Sequence, residues 1–274
     1  MEECKLNNSK LLASSTILLI RDTLNGLEVF MVERNKKIDF APGALVFPGG
    51  KLEPEDYNPE LLDLCGGSSS DQDAIASKVC AIRETFEESG VLIAKDYNSD
   101  KLIDPLKCFE FAKRYRKNLQ ENKITLLEIL KKEKLVLAAE MLSSFSRWIT
   151  PRDFPKRFDT NFYLIPLTAE FSAEHDGYES VSSVWISPKK ALSDADKGLK
   201  TIVFATRMNL LKLGRYKNTE SVVNDLSKSV ITPVEPKVET EGDNIVFKIP
   251  EEAGYGLTKY IESRDANLFV KKKK

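Results

Sequence analysis

The chain has 274 residues, of which 42% are hydrophobic and 30% are charged, and its 41 basic and 42 acidic side chains leave a net charge of −1. This length fits one elaborated domain or a domain with an appendage, and the apolar fraction is ample for a core. A charge so close to neutral gives no reason to expect nucleic acid or an anionic membrane as a partner.

The first predicted elements form a hairpin. Ser15 to Arg21 and Glu28 to Arg34 are apolar enough to be strands, and the residues between them contain the Asn25-Gly26 turn signal. Lys36 to Pro42 is expected to be a loop. Ala44 to Phe47 reads as a further strand.

Targeting signals are weak in this sequence. The apolar run 11–20 follows two lysines and permits a short signal peptide, but Ser14, Ser15 and Thr16 interrupt it and no small-residue cleavage site follows. No apolar stretch is long enough to span a membrane, and the tail Lys271 to Lys274 is not a Ser-Lys-Leu address for peroxisomes. The four cysteines are scattered and there is a single histidine, which argues against a disulfide framework or a zinc site. We expect a cytoplasmic, reducing environment.

An amphipathic helix follows the turn Phe47-Pro48-Gly49-Gly50. At about 100° per residue, its apolar side chains form one narrow stripe, namely Ile75, Val79, Ile82 and Phe86. We expect this helix to run from about Asp73 to Ser89 and to end at Gly90, with an aspartate at its start.

Three carboxylates, Glu84, Glu87 and Glu88, project from roughly the opposite side of that helix. Grouped carboxylates repel one another unless a cation neutralises them, and a divalent metal with oxygen ligands is the simplest reason to assemble them. That pattern points to phosphate chemistry. A solvated acidic helix face is the alternative, against which the segment from Arg83 to Ala94 contains no lysine partner.

The remaining elements are predicted from periodicity and composition. Residues 104–145 read as helical. Strands are expected at 147–151, 158–167, 183–186 and 245–249, and helices at 188–192 and 201–213. From Tyr216 onward the chain is polar and contains several prolines.

These motifs resemble the Nudix hydrolase signature. Gly50 is its first glycine, and Asp56 follows five residues later, where the family usually has Glu. Arg83 to Val91 match the second half, with Thr85 at a position that is usually apolar. Between the halves lie 26 residues, 57–82, in place of the usual seven. A loop insertion at about 57–72 accounts for the difference, since loop closure entropy grows slowly with length.

Further segments are similar to one subgroup of that family, which includes peroxisomal coenzyme A diphosphatases and related bacterial proteins. The matching segments are 42–44 with 47–50, 147–151, 156–160 with 162–164, 176–179, and 185–188 with 191–192. The resemblance implies an α/β fold, a Nudix-type α/β/α sandwich with a mixed sheet. It also implies a Nudix domain at 12–214, a helical insertion at about 104–145 after the catalytic helix, and a C-terminal extension at 215–274.

The resemblance further implies a divalent-metal-dependent pyrophosphohydrolase that uses Mg²⁺ or Mn²⁺. Its metal ligands would be Glu84, Glu87 and Glu88, with the carbonyl of Gly50, and its Arg83 would hold a carboxylate in place through a two-bond pair. Asp56 is in doubt, because its shorter side chain reaches less far than the usual Glu.

The general base is left open between a helix glutamate and a loop carboxylate. Glu174, Asp176 and Glu179 cluster in one loop, and Glu179 is preferred from the subgroup match. A polar surface turn is the alternative for that cluster. We interpret His175 as a solvated loop residue.

Candidate phosphate clamps are Arg34, Arg147 and Arg157, with Lys156 beside the last, because arginine offers a forked donor to phosphate. A structural ion pair is an equally good explanation for each of them. The basic stretch 113–117 is interpreted as a solvated helix face, and RNA is the disfavoured alternative.

The sequence thus predicts an enzyme that cleaves a nucleoside diphosphate linked to another moiety. Coenzyme A or an acyl derivative is one candidate substrate, and a small nucleotide-type molecule is the expected partner. The alternative is a catalytically weak Nudix module that binds a nucleotide or a protein partner. A homodimer is left open.

Overall fold

A computed structural model describes residues 10–38, 41–65, 71–152 and 154–263. Its strands are β1 Leu11–Thr23, β2 Gly26–Arg34, β3 Leu45–Val46, β4 Gly49–Lys51, β5 Ala94–Asp96, β6 Leu135–Leu137, β7 Ser143–Ile149, β8 Arg157–Pro166, β9 Ser180–Ile186, β10 Pro233–Val234, β11 Lys237–Glu241, β12 Asn244–Lys248 and β13 Lys259–Ser263. Its α-helices are α1 Pro59–Asp63, α2 Gln72–Ser89, α3 Pro105–Gln120, α4 Leu126–Glu133, α5 Pro188–Asp196, α6 Phe204–Leu213 and α7 Thr219–Leu226. None of these described helices is long and apolar enough to cross a bilayer.

The main sheet is mixed and has eight strands. Its order is β10-β7-β8-β1-β2-β3, with β4 beside β1 and β9 beside β2. The pairs β1–β8 and β7–β10 are parallel, and the other neighbours are antiparallel. Because β1 is long, β4 pairs with residues 14–16 and β2 with residues 20–23 of the same strand. The expected mixed sheet of an α/β protein is confirmed.

Two apolar cores cover the two faces of this sheet. Alternate side chains of a strand point to opposite faces, so Ile17 and Leu19 enter one core while Leu18 and Ile20 enter the other. Helices α2, α3 and α4 pack on the first core, and α6 and α7 pack on the second. The run 11–20 is therefore the central strand of the fold. The expected hairpin is confirmed, with Gly26 at a φ of +105° opposite Thr23.

Helix α2 has the boundaries that its capping residues predict. Asp71 Oδ1 accepts the N–H of Ala74 at 3.2 Å and caps the first turn. Gly90 has a φ of +75° and ends the helix in the left-handed conformation. The apolar stripe is buried, since Val79 and Phe86 are fully inaccessible. This burial turns the acidic side of α2 toward a cleft.

The sequence predicted that the segment 104–145 is helical throughout. The structure shows that it is not. Helix α3 ends at Gln120, and α4 begins after a Thr125 cap and ends at Lys134, which has a φ of +56°. Leu135–Leu137 then forms β6, which pairs antiparallel with β5. All three residues of β6 are buried, so their apolar character indicated burial and not helix.

The expected loop at 57–72 contains a short helix. Asn58 accepts the N–H of Glu60 at 3.0 Å, Pro59 begins α1, and Leu61 is buried in the first core. Proline after an Asx cap is a helix start signal, which the polar composition of the segment obscured. Residues 66–70 lie outside the described part of the chain.

Residues after 214 pack against the main sheet. Helix α7, which the sequence did not suggest, contributes Val222 to the second core. Strand β10 pairs with β7, so that Val234 lies beside Trp148. Trp148 Nε1 donates to the hydroxyl of Tyr255 at 2.9 Å. The late strand expected at 245–249 is β12, the middle strand of a separate three-stranded sheet with β11 and β13.

Candidate active site

Strand β4 lies directly against the acidic side of α2. A Cβ built on Gly50 would stand 2.2–2.5 Å from the carboxylate of Glu84, and one on Gly49 would stand 2.5 Å from the carbonyl of Ser15. Only glycine fits at both positions without displacing a neighbour. The Gly-Gly turn therefore brings backbone into contact with a carboxylate of the helix.

Glu88 is 4% exposed and faces the same turn. Its Oε2 accepts the N–H of Gly49 at 3.0 Å. Burial raises the pKa of Glu88 well above its ordinary value, the charge of Glu84 acts in the same direction, and Arg34 and the Gly49 N–H oppose it. The surroundings of Glu88 therefore do little to stabilise its negatively charged form.

Asp56 and Arg83 form a buried two-bond ion pair. Arg83 Nε donates to Oδ1 at 2.8 Å and Nη2 donates to Oδ2 at 3.0 Å, and Asp56 is fully inaccessible. The 3-10 turn Pro54–Tyr57 brings Asp56 to this position, where Oδ2 also accepts the N–H of Glu53 at 2.9 Å. The aspartate side chain is shorter than the usual glutamate but still reaches Arg83, because the 3-10 turn brings the backbone of Asp56 close to it.

The remaining nitrogen of Arg83 faces the helix carboxylates. Nη1 donates to Glu84 at 3.1 Å and to Glu87 at 3.4 Å. Burial nevertheless raises the pKa of Glu84 to about 7, and it also raises the pKa of Glu87. The single guanidinium of Arg83 thus donates to several carboxylates and cannot neutralise all of them. A divalent cation would offset the remaining negative charge.

In the described parts of the chain, no three His, Cys, Asp or Glu side chains converge closely enough to hold a metal ion. Glu84 and Glu87 turn toward Arg83 instead, and Glu88 turns toward Gly49. The donors are all oxygens, which is the ligand type that Mg²⁺ and Mn²⁺ prefer. The residues fit such an ion chemically. Binding would require Glu84 and Glu87 to leave Nη1, while Arg83 keeps its two bonds to Asp56.

A cleft of about 780 Å³ opens over this acidic floor. Gly50, Glu84 and Glu87 line its acidic end, and aromatic side chains line other parts of it. The aromatic lining residues are Phe47, Trp148, Phe154, Phe158, Phe162, Phe204 and Phe247. The cleft therefore offers both acidic groups and aromatic surface to a ligand.

Glu179 lines the cleft from the loop between β8 and β9. Its charge acts on the buried Glu88. Asp176 does not line the cleft but accepts the backbone N–H of Glu179 at 3.1 Å. His175 is only partly exposed and its Nδ1 lies 3.1 Å from Oγ of Ser183 in β9, so it contacts that strand and is not simply solvated.

The four candidate phosphate clamps are distributed differently. Arg34 and Lys156 line the cleft. Arg147 makes a two-bond pair with Asp159 at 2.8 and 2.6 Å, diagonally across the β7–β8 ladder. Arg157 donates to Glu235 at 2.9 Å and to the carbonyl of Thr150. Neither Arg147 nor Arg157 lines the cleft, and their contacts are those of structural ion pairs.

Two side chains of α3 reach the site, and the solvated helix face predicted for 113–117 is wrong at one of them, Arg116. Arg116 Nε and Gln120 Nε2 each donate to the carbonyl of Glu87 at 2.7 Å. Their neighbours Lys113, Arg114 and Lys117 are exposed, as expected of a solvated face. Spacing by four residues on one helix was the available signal, but it could not show what the two side chains face.

Comparison with known proteins places the chain in a family. The NUDT19 Nudix domain model matches residues 66–202, half of the chain. The acyl-coenzyme A diphosphatase NUDT19 of Xenopus laevis is 28% identical over 208 residues, and that of Gallus gallus is 27% identical over 212 residues. These matches cover 61% and 60% of this chain but only 54% and 55% of the two relatives.

The fold has a solved counterpart. The crystal structure of a NUDIX hydrolase from Alicyclobacillus acidocaldarius is 27% identical in sequence. It superposes with a TM-score of 0.66 and covers 82% of this chain and all of the other. The sequence motifs, the sheet with its acidic helix and these similarities agree: the chain belongs to the Nudix hydrolase family.

Proposed function

We propose that this protein hydrolyses the phosphoanhydride bond of a nucleoside diphosphate linked to another moiety, with Mg²⁺ or Mn²⁺ bound at the acidic end of the cleft. The observation that carries the proposal is the buried Glu88 together with the partly buried Glu84 and Glu87, set against the Gly49-Gly50 turn. Burying several carboxylates beside one guanidinium is costly for a fold. A bound divalent cation would offset that cost.

The metal would be held by Glu84, Glu87 and Glu88, with the carbonyl of Gly50 as a further oxygen donor. That carbonyl faces α2, where Cys80 Sγ lies 3.8 Å from it. A divalent ion in this place would neutralise diphosphate oxygens and lower the pKa of a water molecule.

The residues of the chain itself would divide the remaining work. Arg83, fixed by Asp56, would keep the helix carboxylates apart and oriented once they turn to the metal. Glu179 would accept a proton from the attacking water, since it lines the same cleft. Arg34 would donate to the diphosphate of the substrate from the cleft wall.

We further propose coenzyme A or an acyl derivative as the substrate, with 3′,5′-ADP and a phosphopantetheine fragment as products. The curated relatives named above are acyl-coenzyme A diphosphatases, and this chain spans about half of their length. The aromatic lining of the cleft supports a substrate that carries an apolar or planar group beside its diphosphate. The catalytically weak binding module is not favoured, because the three carboxylates and the Arg83–Asp56 pair are all in place.

The test is a substrate panel with products identified by mass. Dinucleotides, nucleotide sugars, coenzyme A and acyl-coenzyme A would each be incubated with the protein in MgCl₂, MnCl₂ or EDTA. The proposal expects cleavage at the diphosphate only when the metal is present, and the best turnover with the coenzyme A compounds. Cleavage that persists in EDTA would contradict the metal site. Turnover of nucleotide sugars alone would contradict the substrate class.

A further inference from the structure

Helix α3 lies across the C-terminal end of α2. A Cβ on Gly90, where α2 ends, would stand 3.2 Å from the Cβ of Ala112, so the two elements are in close contact. The last carbonyls of a helix have no partner within it. Here the carbonyl of Glu87 accepts from Arg116 Nε and Gln120 Nε2, both at 2.7 Å. The insertion helix therefore completes the end of the helix that carries the carboxylates.

Gln120 also reaches the loop between β8 and β9. Its Nε2 donates to Asp176 Oδ2 at 3.3 Å. Both partners of this nitrogen are acceptors, which fixes the orientation of the amide. Asp176 in turn accepts three backbone N–H groups at 3.1, 3.1 and 2.9 Å, those of Tyr178, Glu179 and Ser180. One amide thus connects the backbone of Glu87 with the carboxylate that shapes the turn around Glu179.

Arg116 makes a parallel connection. Its Nη1 donates to the carbonyl of His175 at 3.4 Å, while its Nε binds the carbonyl of Glu87. Glu174 N donates to the carbonyl of Ser89 at 2.9 Å, so the same loop also contacts α2 directly. A residue that only capped α2 would need no contact with this loop.

We propose that Gln120 is a positioning residue, which with Arg116 sets the separation between the carboxylates of α2 and Glu179. This inference rests on the proposed function, because it assigns Glu87 and Glu179 to one reaction site. Gln120 lines the cleft together with both of them. Gln120 acts on Glu87 through its backbone carbonyl and on Glu179 through Asp176. It does not act on the reacting atoms.

The first test measures the connection itself, without reference to activity. Gln120→Leu removes the donor and keeps the approximate volume, and Asn118→Leu is the matched control at an exposed position of the same helix. Amide hydrogen exchange at residues 178–180 is expected to quicken about tenfold in Gln120→Leu and to stay unchanged in Asn118→Leu. Equal exchange in Gln120→Leu and the parent would overturn the proposal.

The second test measures the consequence for turnover. Loss of a supporting hydrogen bond of this kind is expected to lower kcat by about tenfold, with KM changed by less than about twofold. Asp176→Ala should reproduce the loss, and the double variant should be no slower than the slower single variant, since both act through one connection. Additive losses, or a loss confined to KM, would show a merely structural role. A parent that cleaves no diphosphate would defeat the proposed function, whereas the exchange result would still decide whether Gln120 connects α2 with the loop between β8 and β9.

Discussion

Asp56 receives two hydrogen bonds from Arg83, at 2.8 and 3.0 Å, across the 26 residues that separate them in sequence. The pair joins the segment after β4 to the middle of α2. Residues 57–82 can therefore hold an inserted helix and loop without moving the acidic side of α2. Both partners are buried, with side-chain exposures of 0% and 8%.

Removing one partner of this pair should destabilise the fold. Asp56→Ala is expected to lower the free energy of unfolding by about 3 kcal/mol, because it leaves a guanidinium buried without its main partner. Urea denaturation monitored by circular dichroism would measure the change. Glu239→Gln is the control, since it breaks an exposed pair with Lys248 and should cost less than about 1 kcal/mol. Similar costs for the two variants would show that the Asp56 pair contributes little.

Gly49 and Gly50 should respond differently to an added methyl group. The Cβ of Gly49→Ala would meet backbone atoms of Ser15 and Thr16, so we expect a loss of about 2 kcal/mol in stability. The Cβ of Gly50→Ala would meet only the end of the Glu84 side chain, which can turn away. That variant should stay close to parental stability and lose most of its activity. Thermal denaturation and turnover, measured on both variants, would show whether the two effects separate in this way.

The metal-free protein should lose stability as the pH rises. The folded-state pKa of Glu84 is about 7, above its ordinary value of 4.5, so its stabilising contribution is complete below 4.5 and is lost as the pH rises through 7. Glu87 and Glu88 are raised in the same direction. Tm measured in EDTA should fall between pH 5 and pH 8 more steeply for the parent than for Glu84→Gln. MgCl₂ should raise the Tm of the parent more at pH 8 than at pH 5. Parallel Tm profiles for the parent and the variant would contradict the assignment.

The aromatic lining of the cleft should matter more for long substrates. Phe158→Ala is expected to raise the KM for a long-chain acyl-coenzyme A by about tenfold, since losing one aromatic contact costs on the order of 1–2 kcal/mol. The KM for free coenzyme A should change little, and kcat should be retained for both. Phe109→Ala, an exposed aromatic on α3 outside the cleft, is the control. An equal rise in KM for both substrates would place the apolar group elsewhere.

Local signals predicted α2 well because they are complete in the sequence. Asp71 caps the first turn, Gly90 supplies the left-handed end, and the spacing of Val79, Ile82 and Phe86 sets the buried face. The same kind of signal failed at Leu135–Leu137, since a short buried apolar run fits a helix or a strand equally well. The strand β5, which decides the matter, lies 40 residues earlier.

Partners across the sheet could not be predicted from the sequence. Arg147 and Asp159 meet because β7 and β8 pair in one register, and a shift of one residue between the strands would put the two side chains on opposite faces of the sheet. The contact of Asp56 with Arg83 depends on a 3-10 turn, which the composition of that segment does not predict. Likewise, the orientation of Arg116 toward Glu87 follows from how α3 packs on α2.

The central claim is that the carboxylates of α2 hold the metal for diphosphate hydrolysis. The most direct measurement is Mg²⁺-dependent turnover of the best substrate by Glu88→Gln, beside Glu110→Gln at an exposed position of α3. The amide oxygen in Glu88→Gln can still accept the Gly49 N–H, so the fold should persist by circular dichroism. We predict that Glu88→Gln loses turnover entirely while Glu110→Gln matches the parent. A folded Glu88→Gln variant with parental turnover would contradict the metal site.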